Sequence, residues 1–287
     1  MNDPYAPVDG LDIAVADGVL RLTLDRPAKR NAIDDVMMAG LIDALDAAGR
    51  DEAVRAVLLQ GNGEHFCAGA DIVARNAKPP SRGADASRPA DGPAERPPRP
   101  RVGSIQRRVP SLAHRLIPLV LTVQVPVVCR VQGWAAGIGF QLALAADFTI
   151  ASADARFWEP FTERGFTPDS GATWLLPRVV GPARARELLL LGRSLDGEEA
   201  AAWGAVHRSV APDVLDDEVR ALVDAVASGP TVALGLTKWL LAASADEALE
   251  AQLRNEAFAL ELSSRSEDFK EGLAAFSQKR PPDFTGR

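Results

Sequence analysis

The run Val125–Ser152, VPVVCRVQGWAAGIGFQLALAADFTIAS, constrains the fold more than any other part of the chain. It reads as an apolar strand, a turn of small residues, a helix-like stretch and a second strand. A strand that leaves through a helix and returns as a strand implies α/β packing with crossovers. The turn, GWAAGIG, matches neither the Gly-x-Gly-x-x-Gly dinucleotide turn nor a phosphate loop closing on Gly-Lys-Ser/Thr.

The rest of the chain fits around that unit. Leu11, Ile13 and Val15, then Leu20, Leu22 and Leu24, alternate in period two on either side of Asp17-Gly18, the pattern of a β-hairpin. Ile33, Met37, Leu41 and Leu45 form one helical stripe ending near Gly49. Val54–Gln60 is a buried-strand candidate, closed by Gly61-Asn62-Gly63 and followed directly by HFCAGADI. Between 78 and 103 the chain is rich in Pro, Arg, Ala and Gly with almost nothing to bury, which reads as a mobile lid or as an insertion without a role. Asp196 is placed to cap a helix, with Glu199 three residues on and Gly204 as its stop, before a short strand over Ala205–Val210. From Asp213 to Phe276 amphipathic helices take over, with Val214, Val219, Leu222, Val226, Leu249, Leu253, Phe258 and Leu262 available to pack. The expected organisation is an α/β core over residues 1–212, carrying the 78–103 insert, and a helical region over 213–287.

Composition narrows the function. The 287 residues are 47% hydrophobic and 25% charged, enough for a full core. A net charge of −7 offers no positive field for nucleic acid. The most apolar region, Leu116–Ile150, is broken by Pro118, Gln124, Pro126, Arg130, Gln141 and Asp147, so no membrane span is expected, and the N-terminus carries no signal-peptide pattern. Two cysteines, Cys67 and Cys129, make no disulfide framework and suit a reducing compartment such as the cytoplasm. The three histidines do not pair with them at metal-site spacing, so no metal is expected. Cys67, between a Phe and Ala-Gly, is either buried filler or a nucleophile without an oriented base nearby.

Two turns carry the positive signal: Cys67-Ala68-Gly69-Ala70-Asp71 and Gly133–Gly139, each after a buried strand. Small residues let a ligand approach the backbone and leave N–H groups unpaired. Two such turns side by side can aim two donors at one oxygen, an oxyanion hole for a thioester enolate, each donor contributing on the order of 3 kcal/mol in the transition state. HFCAGADI is then a site whose chemistry lies in its backbone.

The segments LDRPAKRNAID, FCAGADI, QGWAAGIGFQLALAADFTIAS and GFTPDSGATWLLPRVVG, in this order, resemble the enoyl-CoA hydratase/isomerase (crotonase) superfamily, and the closing FSQKRPPDFTGR resembles that family's C-terminal end. The resemblance spans nearly the whole chain apart from the proline-rich insert. It implies an α/β fold of the crotonase (ClpP-like) ββα spiral type, stacked turns of two roughly perpendicular sheets flanked by helices. A C-terminal helical region would build homotrimers, often paired into hexamers. It implies an acyl-CoA substrate and no cofactor beyond the coenzyme A that the substrate carries.

Position by position, the resemblance makes Ala70 and Ile138 the two oxyanion donors, Ile138 standing where relatives usually have glycine. Ala68 would contact adenine through its backbone, and Arg30 and Lys279 would face the CoA phosphates, Lys279 from a neighbouring subunit. Against that, both cations have the ordinary reading of solvated charge. Ala28, Gly69, Asp71, Ile72, Gly137, Gln141 and Phe161 complete the substrate-binding set. The two glutamates used by the family's hydratases fall on Gln141 and Phe161, neither of which transfers a proton. Asp169 occupies the acid/base position of the isomerase branch, where one carboxylate suffices to move a proton from C2 to C4. Its other reading is a cap for the following helix, since Pro-Asp-Ser-Gly is a good turn and cap sequence. Glu159 and Glu163 are the reserve carboxylates. Trp134, Trp158, Phe140 and Phe161 either line an acyl pocket suited to an aromatic or bulky alicyclic group or belong to the core. An isomerase or hydratase is thus set against a non-catalytic acyl-CoA binder and a thioester hydrolase of the same fold.

Overall fold

The computed structural model describes residues 3–71, 103, 106–107 and 109–287. Ile72 and nearly all of the 78–103 insert lie outside the described residues. The chain opens with the hairpin β1 (Leu11–Ala16) and β2 (Val19–Leu24), joined by Asp17 and Gly18 at φ 52° and 75°. Both positive values are what a two-residue turn needs to match strand twist. Helix α1 (Asp35–Ala48) follows, capped by Asp34, whose carboxylate accepts from the Val36 and Met37 N–H groups. Met37, Leu41 and Leu45 are buried on its inner stripe. Ile33 is not on that helix: it precedes the cap and pairs with Ala70 as an isolated bridge.

Strand β3 (Ala56–Gly61), helix α2 (Ala113–Thr122) and strand β4 (Val127–Val131) lead to β5 (Trp134–Ala136), α3 (Ile138–Ala145) and β6 (Phe148–Ser152). After β7 (Arg156–Trp158) come α4 (Ala172–Val179), α5 (Pro182–Leu191), β8 (Leu195–Asp196), α6 (Gly197–Ala202) and β9 (Arg208–Val210). Asp196 caps α6 by accepting from the Glu199 N–H. The strand expected over Ala205–Val210 is confined to its last three residues, because Ala205 and Val206 are still tied to the Ala200 carbonyl at the end of α6.

The strands form a six-stranded sheet in the order β1-β2-β3-β4-β6-β9 and a three-stranded sheet in the order β5-β7-β8. In the larger sheet every pairing after the hairpin is parallel. Parallel strands are covered on both faces, which explains the unbroken apolar runs of β3 and β4. Val57, Leu59, Val127 and Cys129 face the main core with α1, α2 and α3. Ala56, Leu58, Val128 and Ile150 face Leu215, Val219, Val223 and Val226 of helix α7 (Leu215–Ala227).

Helices α8 (Thr231–Ala243), α9 (Leu249–Ser263) and α10 (Glu267–Gln278) complete the chain. Of the apolar residues expected to pack here, Val219, Leu222 and Val226 do so, whereas Val214, Leu249, Leu253, Phe258 and Leu262 are exposed. Helix α8 is tied back by a buried ion pair. Lys238 Nζ lies 2.6 Å from Asp147 Oδ2 and also donates to the Val120 and Val125 carbonyls, at 2.9 and 3.2 Å. Burial pushes the Asp147 carboxyl up and the Lys238 amine down, each against the pull of its partner. Removing Lys238 leaves the partly buried Asp147 carboxylate with the Val127 N–H still donating to it, at 2.7 Å, but without its cation. Lys238→Ala is therefore expected to lower unfolding free energy by about 3 kcal/mol, read as a lower urea midpoint at an unchanged slope.

Candidate active site

The LDRPAKRNAID segment is the scaffold on which the first turn rests. Asn31 is fully buried at φ 55°; its side-chain oxygen accepts from the Arg26 N–H at 2.8 Å. Its amide nitrogen donates to the Asn62 and His65 carbonyls at 2.9 and 2.7 Å, closing the loop before the turn. Arg26 reaches Asp34 at the start of α1 (3.2 Å) and Asp71 at the end of the turn (3.1 Å), and Lys29 meets the same Asp71 oxygen at 3.1 Å. Asp71 is thus an anchor for two cations.

Backbone bonds then hold the turn in place. The Ala68 N–H donates to the Arg30 carbonyl, the Ile33 N–H to the Gly69 carbonyl and the Asp71 N–H to the Ile33 carbonyl. The second turn is spliced to the first through Cys67: its N–H donates to the Trp134 carbonyl and its carbonyl accepts from the Ala136 N–H, both at 2.9 Å. Gly139 sits so close that a β-carbon there would lie 2.6 Å from the Cys67 carbonyl oxygen. Gly137, at φ 51°, starts α3 and donates to the Trp158 carbonyl. Among the described residues, the Ala70 and Ile138 N–H groups have no hydrogen-bond acceptor. Ala70 opens onto a cleft of about 720 Å³, lined also by Lys29, Ala32, Ala68, Asp71, Arg164 and Phe166. The Ile138 side chain turns into the main core, leaving its backbone at the helix start.

The structure decides several readings that the sequence left open and corrects others. Cys67 is wholly buried and its thiol is pushed up to about 12 by loss of solvent, so it is packing and not a nucleophile. Trp134 and Trp158 pack against each other as a tilted pair with ring centres 5.8 Å apart, and Phe140 packs against Phe157 in the core. Of the four aromatics, Phe161 reaches the turns, its Cζ 4.0 Å from where a Gly137 side chain would begin. Gln141 is fully buried and its amide contacts the Glu159 carboxyl instead of facing the cleft. Glu163 is exposed and lies against Gly192 after α5. Ala28 and Arg30 are exposed in the loop before α1, and Lys279 is exposed at the left-handed end of α10; neither cation lines the cleft.

Asp169 stands between two cavities in sequence. Phe166 lines the cleft at Ala70, while Ser170 and Gly171 line an apolar pocket of about 400 Å³ with Ile117, Leu121, Trp174 and Leu175. The Asp169 carboxylate is exposed and accepts from the Ser170 hydroxyl at 2.9 Å. It does not cap α4, whose cap residue is Gly171 with no side-chain bond. Sequence reasoning missed Lys29 and Arg164 as cleft residues. Lys29 adjoins Arg30 in the same motif, but nothing in the pattern tells which of two neighbouring cations turns inward. Among the described residues, no cluster of three His, Cys, Asp or Glu side chains could hold a metal ion.

A sheet built from parallel crossovers, with two backbone N–H groups on adjoining turns that have no acceptor among the described residues, is the arrangement that the fold and site present. The chain belongs to the enoyl-CoA hydratase/isomerase family, whose model matches residues 14–91 and 106–287. It is 40% identical to 1,2-epoxyphenylacetyl-CoA isomerase of Escherichia coli K12, over 95% of this chain and 97% of that protein. It is 32% identical to 2,3-dehydroadipyl-CoA hydratase of the same organism, over 94% and 96%. The enoyl-CoA hydratase structure from Bacillus anthracis superposes with a TM-score of 0.83 at 28% identity, over 97% of this chain and all (100%) of that one.

The close seating of the two turns is testable. Gly139→Ala must push them apart, and is expected to lower stability by roughly 1–3 kcal/mol and to weaken acyl-CoA binding in calorimetric titration. A variant with the wild-type denaturation midpoint and affinity would contradict it.

Proposed function

We propose that the chain is an enzyme acting on an acyl-CoA thioester, holding its enolate oxygen on the Ala70 and Ile138 N–H groups and moving a proton with Asp169. The reactions this supports are double-bond isomerisation or hydration of an enoyl-CoA. The observation that carries the reading is the pair of unpartnered N–H groups on turns spliced through Cys67. Asp169 supports it further, because its side chain has no capping duty. In the isomerisation, Asp169 removes a proton from C2, the electron pair delocalises onto the thioester oxygen, and the same carboxyl returns the proton at C4.

Around this centre, Ala68 and Gly69 present backbone to the coenzyme, and Arg30 and Lys279 meet its phosphates. Phe161 and Gly137 border the acyl end, and Glu163 has no part in the chemistry. A second reading, binding without turnover, is favoured by Gln141 and Phe161 standing where the family's hydratases carry glutamates.

Paired 2-enoyl- and 3-enoyl-CoA substrates in heavy water, read by mass, separate these readings. Isomer formation with deuterium uptake is expected in the wild type, and Asp169→Asn is expected to lower it at least about a hundredfold with thioester binding retained. A water adduct that survives the mutation would move the acid/base role to another carboxyl. Free CoA release would mean hydrolysis, and tight binding without exchange would leave a binding protein.

We also propose self-association into a homotrimer, alone or paired as a hexamer. Leu249 is 73% exposed and Phe276 86%, and with Leu253, Phe258 and Leu262 they leave large apolar side chains uncovered on α9 and α10, the kind of surface that marks an interaction site. Lys279, at the end of α10, would complete a neighbour's coenzyme site. A cytoplasmic location is in keeping with the buried free thiols Cys67 and Cys129. Phe258→Asp is expected to shift the mass in light scattering from trimer or hexamer to monomer; a monomeric wild type would refute the assembly.

A further inference from the structure

Glu159 and Gln141 form a buried pair that the reaction above does not use. Glu159 follows directly on β7 and is 1% exposed; Gln141 on α3 is 0% exposed. The Gln141 amide nitrogen contacts both Glu159 carboxyl oxygens, at 2.8 and 2.9 Å. No cation is paired with Glu159 among the described residues, and Asp169, across from it, is the charged group that bears on it, with like sign. Gln141 lies three residues past Ile138, on the same face of α3, so the pair sits one helical turn below the second oxyanion donor.

A carboxylate buried with one neutral partner is strongly disfavoured, whereas a carboxylic acid is not. The structure holds an acceptor suited to the acid. Gln141 Oε1 is buried and has no partner among the described residues, and it belongs to the same amide whose nitrogen already contacts both carboxyl oxygens. A protonated Glu159 supplies the missing O–H once the amide turns so that one carboxyl oxygen keeps the N–H and the other donates to Oε1, and acid and amide then satisfy each other. Burial and the neighbouring Asp169 charge both hold the Glu159 proton on well above the usual carboxylate range, with the Gln141 N–H pulling the other way.

We infer that Glu159 is a positioning residue held as a neutral acid by Gln141, keeping the floor of the site uncharged so that Asp169, and not Glu159 or the ion-paired Asp71, supplies the negative charge facing the enolate. This rests on the proposed enolate reaction. The sign follows from electrostatics: ionised Glu159 would place a like charge beneath the developing oxyanion and raise the barrier. Activity should therefore fall as pH rises through the Glu159 ionisation, and a neutral isostere should lack that fall.

Two readouts test it. The first is the infrared carboxylic C=O band of a protonated acid, recorded without substrate at a pH where surface carboxylates are ionised. The band is expected in the wild type and absent in Glu159→Gln. The second is the pH profile of deuterium exchange into a 3-enoyl-CoA. Glu159→Ala is expected to lose about tenfold or more at neutral pH, less than the loss of an acid/base group, Glu159→Gln to restore most of it, and the alkaline fall to disappear in Glu159→Gln. No acid band in the wild type, or an alkaline fall that persists in Glu159→Gln, overturns the inference. So does a Glu159→Gln variant as inactive as Asp169→Asn, which would make Glu159 the acid/base group itself. If the wild type exchanges no proton, the proposed reaction fails and the band alone decides the state of Glu159.

Discussion

The structure depends on one short splice, the pair of backbone bonds through which Cys67 joins the start of the first turn to β5. Everything that gives the site its character is set by it. It brings Ala70 and Ile138, 68 positions apart in sequence, onto adjoining turns. It also explains residue choice: with the two backbones this close, Gly139 has no room for a side chain, and Cys67 and Ala135 have room for small ones. The thiol of Cys67 is incidental to that role, a small apolar group facing the core that also accepts weakly from the Gly69 N–H at 3.4 Å.

Donors fixed in this way are useful because they need not reorganise. An N–H on a loop tip would move to meet a forming charge and lose part of its electrostatic benefit. Here the first donor is locked by the Ile33–Ala70 bridge and by Arg26, which reaches α1 and the turn at once, and the second is the opening residue of a helix buried along its whole length. The wide sheet behind them, covered by α1 to α3 on one face and by α7 on the other, gives these turns a rigid base. α7 is as much a part of that base as the helices that precede it.

Much of this was legible in the sequence, and the limits fall along physical lines. Local rules sufficed for the hairpin at Asp17-Gly18, for α1 with its Met37-Leu41-Leu45 stripe and for the cap at Asp196, because near neighbours decide those structures. The two adjoining small-residue turns were legible because Ala68-Gly69-Ala70 and the Gly133–Gly139 stretch each follow a buried strand. What stayed hidden depends on partners distant in sequence. Trp134 and Trp158 satisfy each other from neighbouring strands of the smaller sheet, and Phe140 is absorbed by Phe157, so neither periodicity nor composition could assign them to core or pocket. The apolar positions of α9 announce an amphipathic helix, but pattern cannot tell whether the covering surface is in the same chain. Arg30 and Lys29 are adjacent and alike in charge; the left-handed backbone at Arg30, φ 49°, belongs to a turn in which Lys29 is the one that reaches Asp71.

Charge economy is the thread that links these features. Asp71 is neutralised by Arg26 and Lys29, Asp147 by Lys238, and the buried Asp268 carboxylate accepts from the Thr285 and Gly286 N–H groups. Glu159 is buried with one side-chain amide as its partner, and among the described residues no cation is paired with it. An oxyanion site made of neutral N–H dipoles is sensitive to any negative charge nearby, because the low-dielectric interior that strengthens the donors strengthens repulsion equally. A proton kept on Glu159 resolves that conflict without a cation, which would compete with the N–H groups for the same enolate oxygen. Under the proposed reaction, the exposed carboxylate of Asp169 then stands where a proton has to be moved, with no uncompensated charge where the oxyanion has to be held.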